Sequence, residues 1–270
     1  MLPVLMICSF GYSQHYYNDI ISTQQSNTNY KLLKQANVKQ VKGVSYEADN
    51  SLTDNFGLRQ ELSRDKKKLI TSSTSTNNVT TVTVSQFEND LIKRTTDTLG
   101  TVSNIVDYLY DANGRLSQIT TQSLDPDHNG NTSEIHQWFY KENGAPDHML
   151  KIKNHSDTVR VEFLLDEKGN VAEENWKWKN RTLNSYYYYY NDANQLTDIV
   201  RYNSKAKKLL PDYIFDYSDG KLSQMTQIIA GTTNYLIWKY TYNESGLKQS
   251  EQLLDKNKRI VGRIEYTYSK

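Results

Sequence analysis

Apolar and polar positions alternate along most of this chain. Val79 to Phe87 (VTTVTVSQF) alternates and is rich in β-branched residues, as a strand buried on one face should be. Val38 to Tyr46 reads as another strand, and Ser72 to Asn78 as a polar linker or loop tip. Beyond residue 100 the pattern becomes periodic. Aromatic doublets precede successive turns: Tyr108-x-Tyr110, Trp138-x-Tyr140, Phe163-x-Leu165, Tyr188-x-Tyr190, Phe215-x-Tyr217, Tyr240-x-Tyr242 and Tyr266-x-Tyr268. Their second members lie 30, 25, 25, 27, 25 and 26 residues apart, a mean of about 26.

The turn positions hold Gly114, Gly144, Gly169, Asn194, Gly220 and Gly246. Gly and Asn are the residues that tolerate a left-handed backbone cheaply. Pairing Tyr110 with Leu116 leaves a three-residue loop, Ala112-Asn113-Gly114. Leu165 with Val171 and Tyr190 with Leu196 repeat that geometry, and Tyr46 with Leu52 has the same spacing around Asn50. Tyr217 and Leu222 are one residue closer, which leaves a two-residue Asp219-Gly220 loop of type I′. The pattern predicts an all-β fold over residues 37–270. It is a meander of about seven to eight antiparallel hairpin repeats in one long twisted sheet, free to curl. Residues 15–36 are polar, with a weak helical pattern at Ile20, Ile21, Leu32 and Leu33, and read as irregular or partly helical.

The first residues follow a different rule. Met1 to Phe10 is almost wholly apolar and is followed by Gly11-Tyr12-Ser13-Gln14. This reads as the apolar part of a signal peptide over residues 1–14, too short to span a bilayer. Two other readings stay open. Cys8 could be acylated, although Leu5-Met6-Ile7 lacks the small residue expected before it, or the run could begin a buried strand. Removal of residues 1–14 takes away the one Cys, which suits an oxidising compartment. The expected location is secreted, periplasmic or cell-surface, with no transmembrane segment in the mature chain.

Lys plus Arg is 32 and Asp plus Glu is 31, a net charge of +1 that argues against a dedicated nucleic-acid binder. Tyr is in excess, 21 against 6 Phe, which calls for aromatic surface with one wet end.

The stretch Tyr110-Asp111-Ala112-Asn113-Gly114-Arg115-Leu116 resembles the YD repeat of Rhs-type bacterial proteins. Later copies drift, as Tyr190-Asn191-Asp192-Ala193-Asn194-Gln195-Leu196 and Tyr217-Ser218-Asp219-Gly220-Lys221-Leu222. Leu165 replaces the Tyr and Pro146 replaces the Leu in two others. The resemblance covers roughly residues 79–270. It implies a continuous antiparallel meander, an extracytoplasmic location and no catalytic residues.

Asp125, Asp127 and Asn129, with Gly130, match the opening of an oxygen-ligand calcium loop. The twelfth position is His136 where a bidentate Glu is needed, with Glu134 close by. A long polar hairpin loop explains the same residues, so calcium is a candidate and no other cofactor is expected. The five His show no metal-ligand spacing, and each turn Gly is explained by a hairpin, so an enzyme is not expected. The aromatic columns carry the main functional expectation. Strand alternation puts Trp138, Tyr188, Tyr190, Trp238 and Tyr240 on one face, and Trp176 and Trp178 on the other. Such ladders are either cross-strand packing or a stacking surface for sugar rings. The expected function is a non-catalytic binding or adhesion module for glycan or envelope polymer. The alternative is an assembly role, with a sheet edge recruiting another envelope protein by strand addition.

Overall fold

The computed structural model describes residues 15–99, 102–125, 131–154, 156–179, 181–204, 206–229 and 231–270. The expected signal peptide, with Cys8, lies outside them. One helix, α1 (Asn18–Gln35), precedes eighteen strands. These are β1 Gln40–Glu47, β2 Gly57–Leu62, β3 Lys68–Thr74, β4 Thr80–Glu88, β5 Leu91–Leu99 and β6 Val102–Tyr110. Then come β7 Leu116–Leu124, β8 Thr132–Tyr140, β9 Pro146–Lys153, β10 Asp157–Leu165, β11 Val171–Trp178 and β12 Arg181–Tyr190. The last are β13 Leu196–Asn203, β14 Lys208–Ser218, β15 Lys221–Ile228, β16 Tyr235–Tyr242, β17 Lys248–Leu254 and β18 Ile260–Ser269.

Each strand pairs with the next, and β18 pairs with β1. At that seam the Lys39 N–H donates to the Ser269 carbonyl at 2.8 Å. The sheet is therefore a closed 18-stranded antiparallel barrel, not an open sheet of seven to eight hairpins. Two features account for the difference. Residues 57–99 supply four strands, β2 to β5, of which the sequence pattern predicts β4; their Thr- and Ser-rich sequence carries no aromatic doublet. The half repeat at the end, β18, finds its partner in β1, so the edge that strand addition would need is occupied.

The hairpin chemistry follows the sequence closely. Tyr110 pairs with Leu116, Tyr190 with Leu196, Tyr217 with Leu222 and Tyr46 with Leu52. Gly169 has φ +86° and Asn194 φ +64°, and Asp219 and Gly220 are both left-handed, as a type I′ turn requires. In the longer turns the residue after the second member of the doublet closes the loop. The Asp111 carboxylate accepts the backbone N–H groups of Asn113 and Arg115, and Asp166 accepts those of Lys168 and Asn170. An added Cβ at Gly169 would meet nothing within 4 Å, so only the backbone conformation opposes a side chain. Gly169→Ala should cost about 1 kcal/mol in urea unfolding, while Asn194→Gly should be neutral or stabilising. Equal midpoints for Gly169→Ala and wild type would contradict this reading of the turn.

The chain divides into two compact units. One comprises 45–53 and 162–266, the other 15–44, 54–161 and 267–270. In the second unit α1 lies against the strands. It buries Thr23, Asn27, Tyr30 and Leu33. Tyr30 stacks on Phe87 at 3.8 Å between ring centres, and its hydroxyl donates to the Lys66 carbonyl. The Asn27 side-chain oxygen accepts the Ile92 N–H at 2.8 Å. The core of this unit continues through Tyr108, Ile119, Trp138 and Met149. The first unit has its own core of Phe163, Tyr186, Tyr188, Ile199, Trp238, Leu253 and Ile264.

Candidate functional site

The repeat tyrosines are ties between neighbouring hairpins. The Tyr110 hydroxyl donates to the Ile92 carbonyl at 2.9 Å, Tyr140 to Leu116 at 2.6 Å and Tyr190 to Val171 at 2.9 Å. Tyr217 to Leu196 at 2.8 Å and Tyr242 to Leu222 at 2.9 Å repeat the contact. In each case the acceptor is the first or second residue of a strand of the preceding hairpin. This explains why the chain prefers Tyr to Phe: the ring packs on the buried face, and the hydroxyl satisfies a backbone carbonyl that pairing leaves open.

The predicted tryptophans separate. Trp138 is 4% exposed and Trp238 is also buried. The Trp138 indole N–H donates to Asp19 at 3.2 Å. Trp176 is half-buried and Trp178 is 42% exposed at the end of β11. Tyr188 is buried, whereas Tyr190 and Tyr240 are half-buried; the Lys248 ammonium sits 4.9 Å from the Tyr240 ring centre. The four tryptophans therefore present no continuous stacking face.

Trp176 is on the same face as Tyr186 and Tyr188, which corrects the expected placement. Val171 and Glu174, three residues apart, are both buried, so the strand breaks its alternation just after the turn. The fully buried Glu174 carboxyl accepts the Trp176 indole N–H at 2.5 Å and the Tyr188 hydroxyl at 2.6 Å. The Trp176 and Tyr186 rings are 5.5 Å apart. A second carboxylate in this unit, Glu251, is held by Lys248 at 2.8 Å and by the Tyr266 hydroxyl at 2.7 Å.

In the other unit a charged network fastens the first turn of α1 to β8 and β9. His136 Nδ1 is 2.7 Å from Asp19 and its Nε2 is 2.8 Å from Glu134. Lys151 is 2.9 Å from Glu134, and the Tyr16 ring meets His136 edge-on at 5.1 Å. Burial by itself would lower the His136 pKa. The adjacent Asp19 carboxylate and the hydrogen bonds to Asp19 and Glu134 override it, and His136 is pushed up to about 9. Burial would raise Glu134, but its bonds to His136 and Lys151 bring it down to about 2. These groups satisfy one another.

Asp125 is half-buried beside the 125–131 connection, while Asp127 and Asn129 lie outside the described residues. Glu134 and His136, the nearest candidates to complete a calcium loop, belong to the network with Asp19. Among the described residues no group of three or more His, Cys, Asp or Glu is arranged to hold a metal ion. A shallow depression of about 270 Å³ lies among Lys31, Lys34, Gln35, Lys66 and Asp90, where Lys34 pairs with Asp90 at 2.6 Å.

Some of the exposed apolar side chains of the first unit form the remaining candidate surface; Leu164 and Tyr189, also exposed, lie at the other end, beside the Gly/Asn turns. Leu183, Tyr202 and Leu209 stand on consecutive strands, with Tyr202 and Leu209 directly paired across β13 and β14. Trp178 precedes them on β11, with the Lys179 ammonium 4.6 Å from its ring centre. All four lie towards the strand ends opposite the Gly/Asn turns. Sequence reasoning singled out only Trp178 among them. A single exposed Leu is ordinary, and only strand register shows that Tyr202 and Leu209 are neighbours; Trp178 follows Trp176 by two residues, on the face opposite to theirs, and Leu183 sits where the β11–β12 register shifts.

No protein-family model matches the chain, and no curated protein matches it. Among solved structures it is similar to a porin-like protein from Bacteroides uniformis ATCC 8492. Identity is 9% and the TM-score 0.41, over 86% of this chain and 98% of that one. A porin-like protein from Bacteroides vulgatus ATCC 8482 is 9% identical at a TM-score of 0.26, over 86% of this chain and 98% of that one. The TcdB2-TccC3 structure without its hypervariable C-terminal region is 15% identical at a TM-score of 0.34. That match covers 82% of this chain but 12% of the other. No helix among the described residues is long and apolar enough to cross a membrane, which says nothing of strands.

Proposed function

We propose that this chain is an extracytoplasmic, non-catalytic binding module of the cell envelope, built from YD-type hairpin repeats. Its contact surface is the exposed rim of Trp178, Leu183, Tyr202 and Leu209. The observation that carries the reading is that rim: large apolar side chains on four consecutive strands stand in water, while most repeat rings are buried or tied down. Contiguous exposed apolar groups mark interaction sites. The recurring Tyr hydroxyl tie and the Asp-closed turn support the repeat assignment. The apolar Met1–Phe10 run supports export. Consistent with a non-catalytic reading, Asp19, Glu134, His136 and Lys151 engage one another, and Glu174 accepts from Trp176 and Tyr188.

The test is fractionation of the expressing cells, followed by binding of purified protein to isolated envelopes. Processed protein beginning near His15 should be found outside the cytoplasm. The Tyr202→Ser, Leu209→Ser variant should lose most envelope binding while keeping its β-sheet circular dichroism. Cytoplasmic protein with an intact Met1, or binding unchanged by the variant, would overturn the proposal.

A further inference from the structure

We infer that the rim of the first unit docks on the surface of a lipid bilayer rich in anionic headgroups, lying on it without crossing it. This rests on the reading of the rim as the contact surface and names its partner.

Charge supplies the first argument. In an antiparallel meander successive turns fall at alternate ends, so the two ends of the unit can be compared. The Gly/Asn turns carry Asp166, Glu167, Asp192, Asp219 and Glu244 against Lys168 and Lys221. At the opposite end, the β11–β12 and β13–β14 connections carry Lys179, Arg181, Lys207 and Lys208, all exposed, with no carboxylate among their described residues. The β17–β18 connection adds Lys256, Lys258 and Arg259 against Asp255. The turn after β1 adds Glu47 and Asp49 at this end, and Lys248 opens β17 at the other. The unit still carries an excess of acid at one end and of base at the other, an arrangement that steers the basic end towards an anionic surface.

Height supplies the second. Trp178 ends β11, Leu183 is the third residue of β12, Tyr202 is next to last in β13 and Leu209 is second in β14. Exposed Ile229 follows β15, and exposed Ile260 opens β18. Every one is within about one strand pleat of the same end of its strand, with Tyr202 and Leu209 on one face of the sheet and Trp178 on the other. A bilayer interface is planar and takes aliphatic side chains below Trp and Tyr rings at headgroup depth, with lysines above. A hydrated polysaccharide stacks on ring faces and has no use for Leu183, Leu209, Ile229 or Ile260.

The strand walls explain why the protein would lie on the membrane. Next to the buried Tyr108, on the opposite face, Asp107 makes a two-point ion pair with Arg94 at 2.6 and 2.9 Å. In the first unit Lys177 and Glu162 pair on the corresponding face. Exposed Leu109, Phe139, Leu164 and Tyr189 share these outward faces, so the wall mixes ion pairs with apolar side chains where a lipid-facing wall carries a continuous apolar band.

The experiment is co-flotation of the processed protein with vesicles. One set contains phosphatidylglycerol and phosphatidylcholine in equal parts, the other phosphatidylcholine alone, and dextran sulfate serves as a soluble polyanion. Binding to the anionic vesicles should weaken with added salt, and the neutral vesicles should bind little. Lys207→Glu with Lys208→Glu should weaken binding by about tenfold or more. Emission assigned to Trp178 by comparison with Trp178→Phe should shift to the blue on vesicles and not on dextran sulfate. Circular dichroism checks that each variant is folded. Failure to bind anionic vesicles, binding unaffected by the charge reversal, or an unshifted Trp178 signal would each overturn the inference. Protein that binds isolated envelopes but not vesicles would remove the lipid assignment and leave the binding-module reading standing; protein that binds neither would remove both.

Discussion

Glu174→Ala is expected to lower stability by about 2–5 kcal/mol, the largest loss expected from any single substitution considered. Glu174 is fully buried and accepts from the Trp176 indole and the Tyr188 hydroxyl. Truncation leaves both donors in an apolar setting, each costing about 1–3 kcal/mol, and opens space beside Tyr186. Glu174→Gln keeps an acceptor oxygen in nearly the same place and should lose much less. Urea unfolding followed by Trp emission measures both. A loss below about 1 kcal/mol for the alanine variant would show that the carboxyl does not organise these rings.

Stability should also fall as pH rises from about 6.5 towards about 9. His136 has its pKa raised from the ordinary 6.5 to about 9, because protonation is favoured beside Asp19 and Glu134. Its contribution is therefore complete below pH 6.5 and is lost as pH rises through about 9. The size is on the order of 3 kcal/mol for a group this well buried. Glu134 has the opposite sign. Its pKa falls from 4.5 to about 2, so its contribution is present above pH 4.5 and is lost as pH drops through about 2. Since Asp19 belongs to α1 and His136 to β8, the alkaline loss should first appear as faster hydrogen exchange in residues 18–35. His136→Phe should flatten the alkaline limb. An alkaline limb of equal depth in that variant would exclude His136 as its cause.

The turns were legible in the sequence because they depend on short-range stereochemistry. The spacing of Tyr110 and Leu116 and the Gly or Asn between such pairs specify the loop without knowledge of the rest of the chain. The helix was only faintly legible. Its buried stripe is Thr23, Asn27, Tyr30 and Leu33, and Asn27 is buried to accept the Ile92 N–H, so hydropathy does not mark that face. The side of Trp176 was misread because strict alternation was carried through the strand, whereas Val171 and Glu174, three residues apart, are both buried. Ring closure was invisible for a third reason: it is a pairing between the two most distant strands, and neither β1 nor β18 carries a local mark of it. The rim belongs with closure. Tyr202 and Leu209 are unremarkable one by one and acquire meaning only through register.

The seam between β1 and β18 also sets the order of events during folding. Thr267 donates to the Lys42 carbonyl across 225 residues of sequence. Every other strand finds a partner in its immediate successor, so the meander can zip progressively as it leaves the ribosome. β1 gains one neighbour early and waits for the other until almost the whole domain has been synthesised. Until then two hydrogen-bonding edges stand open on a Thr- and Tyr-rich sheet, the condition that favours pairing with other chains. Closure is a single contact of very long range, so it is the slow, entropically costly step, and the interval before it is when the nascent chain most needs protection from its own copies.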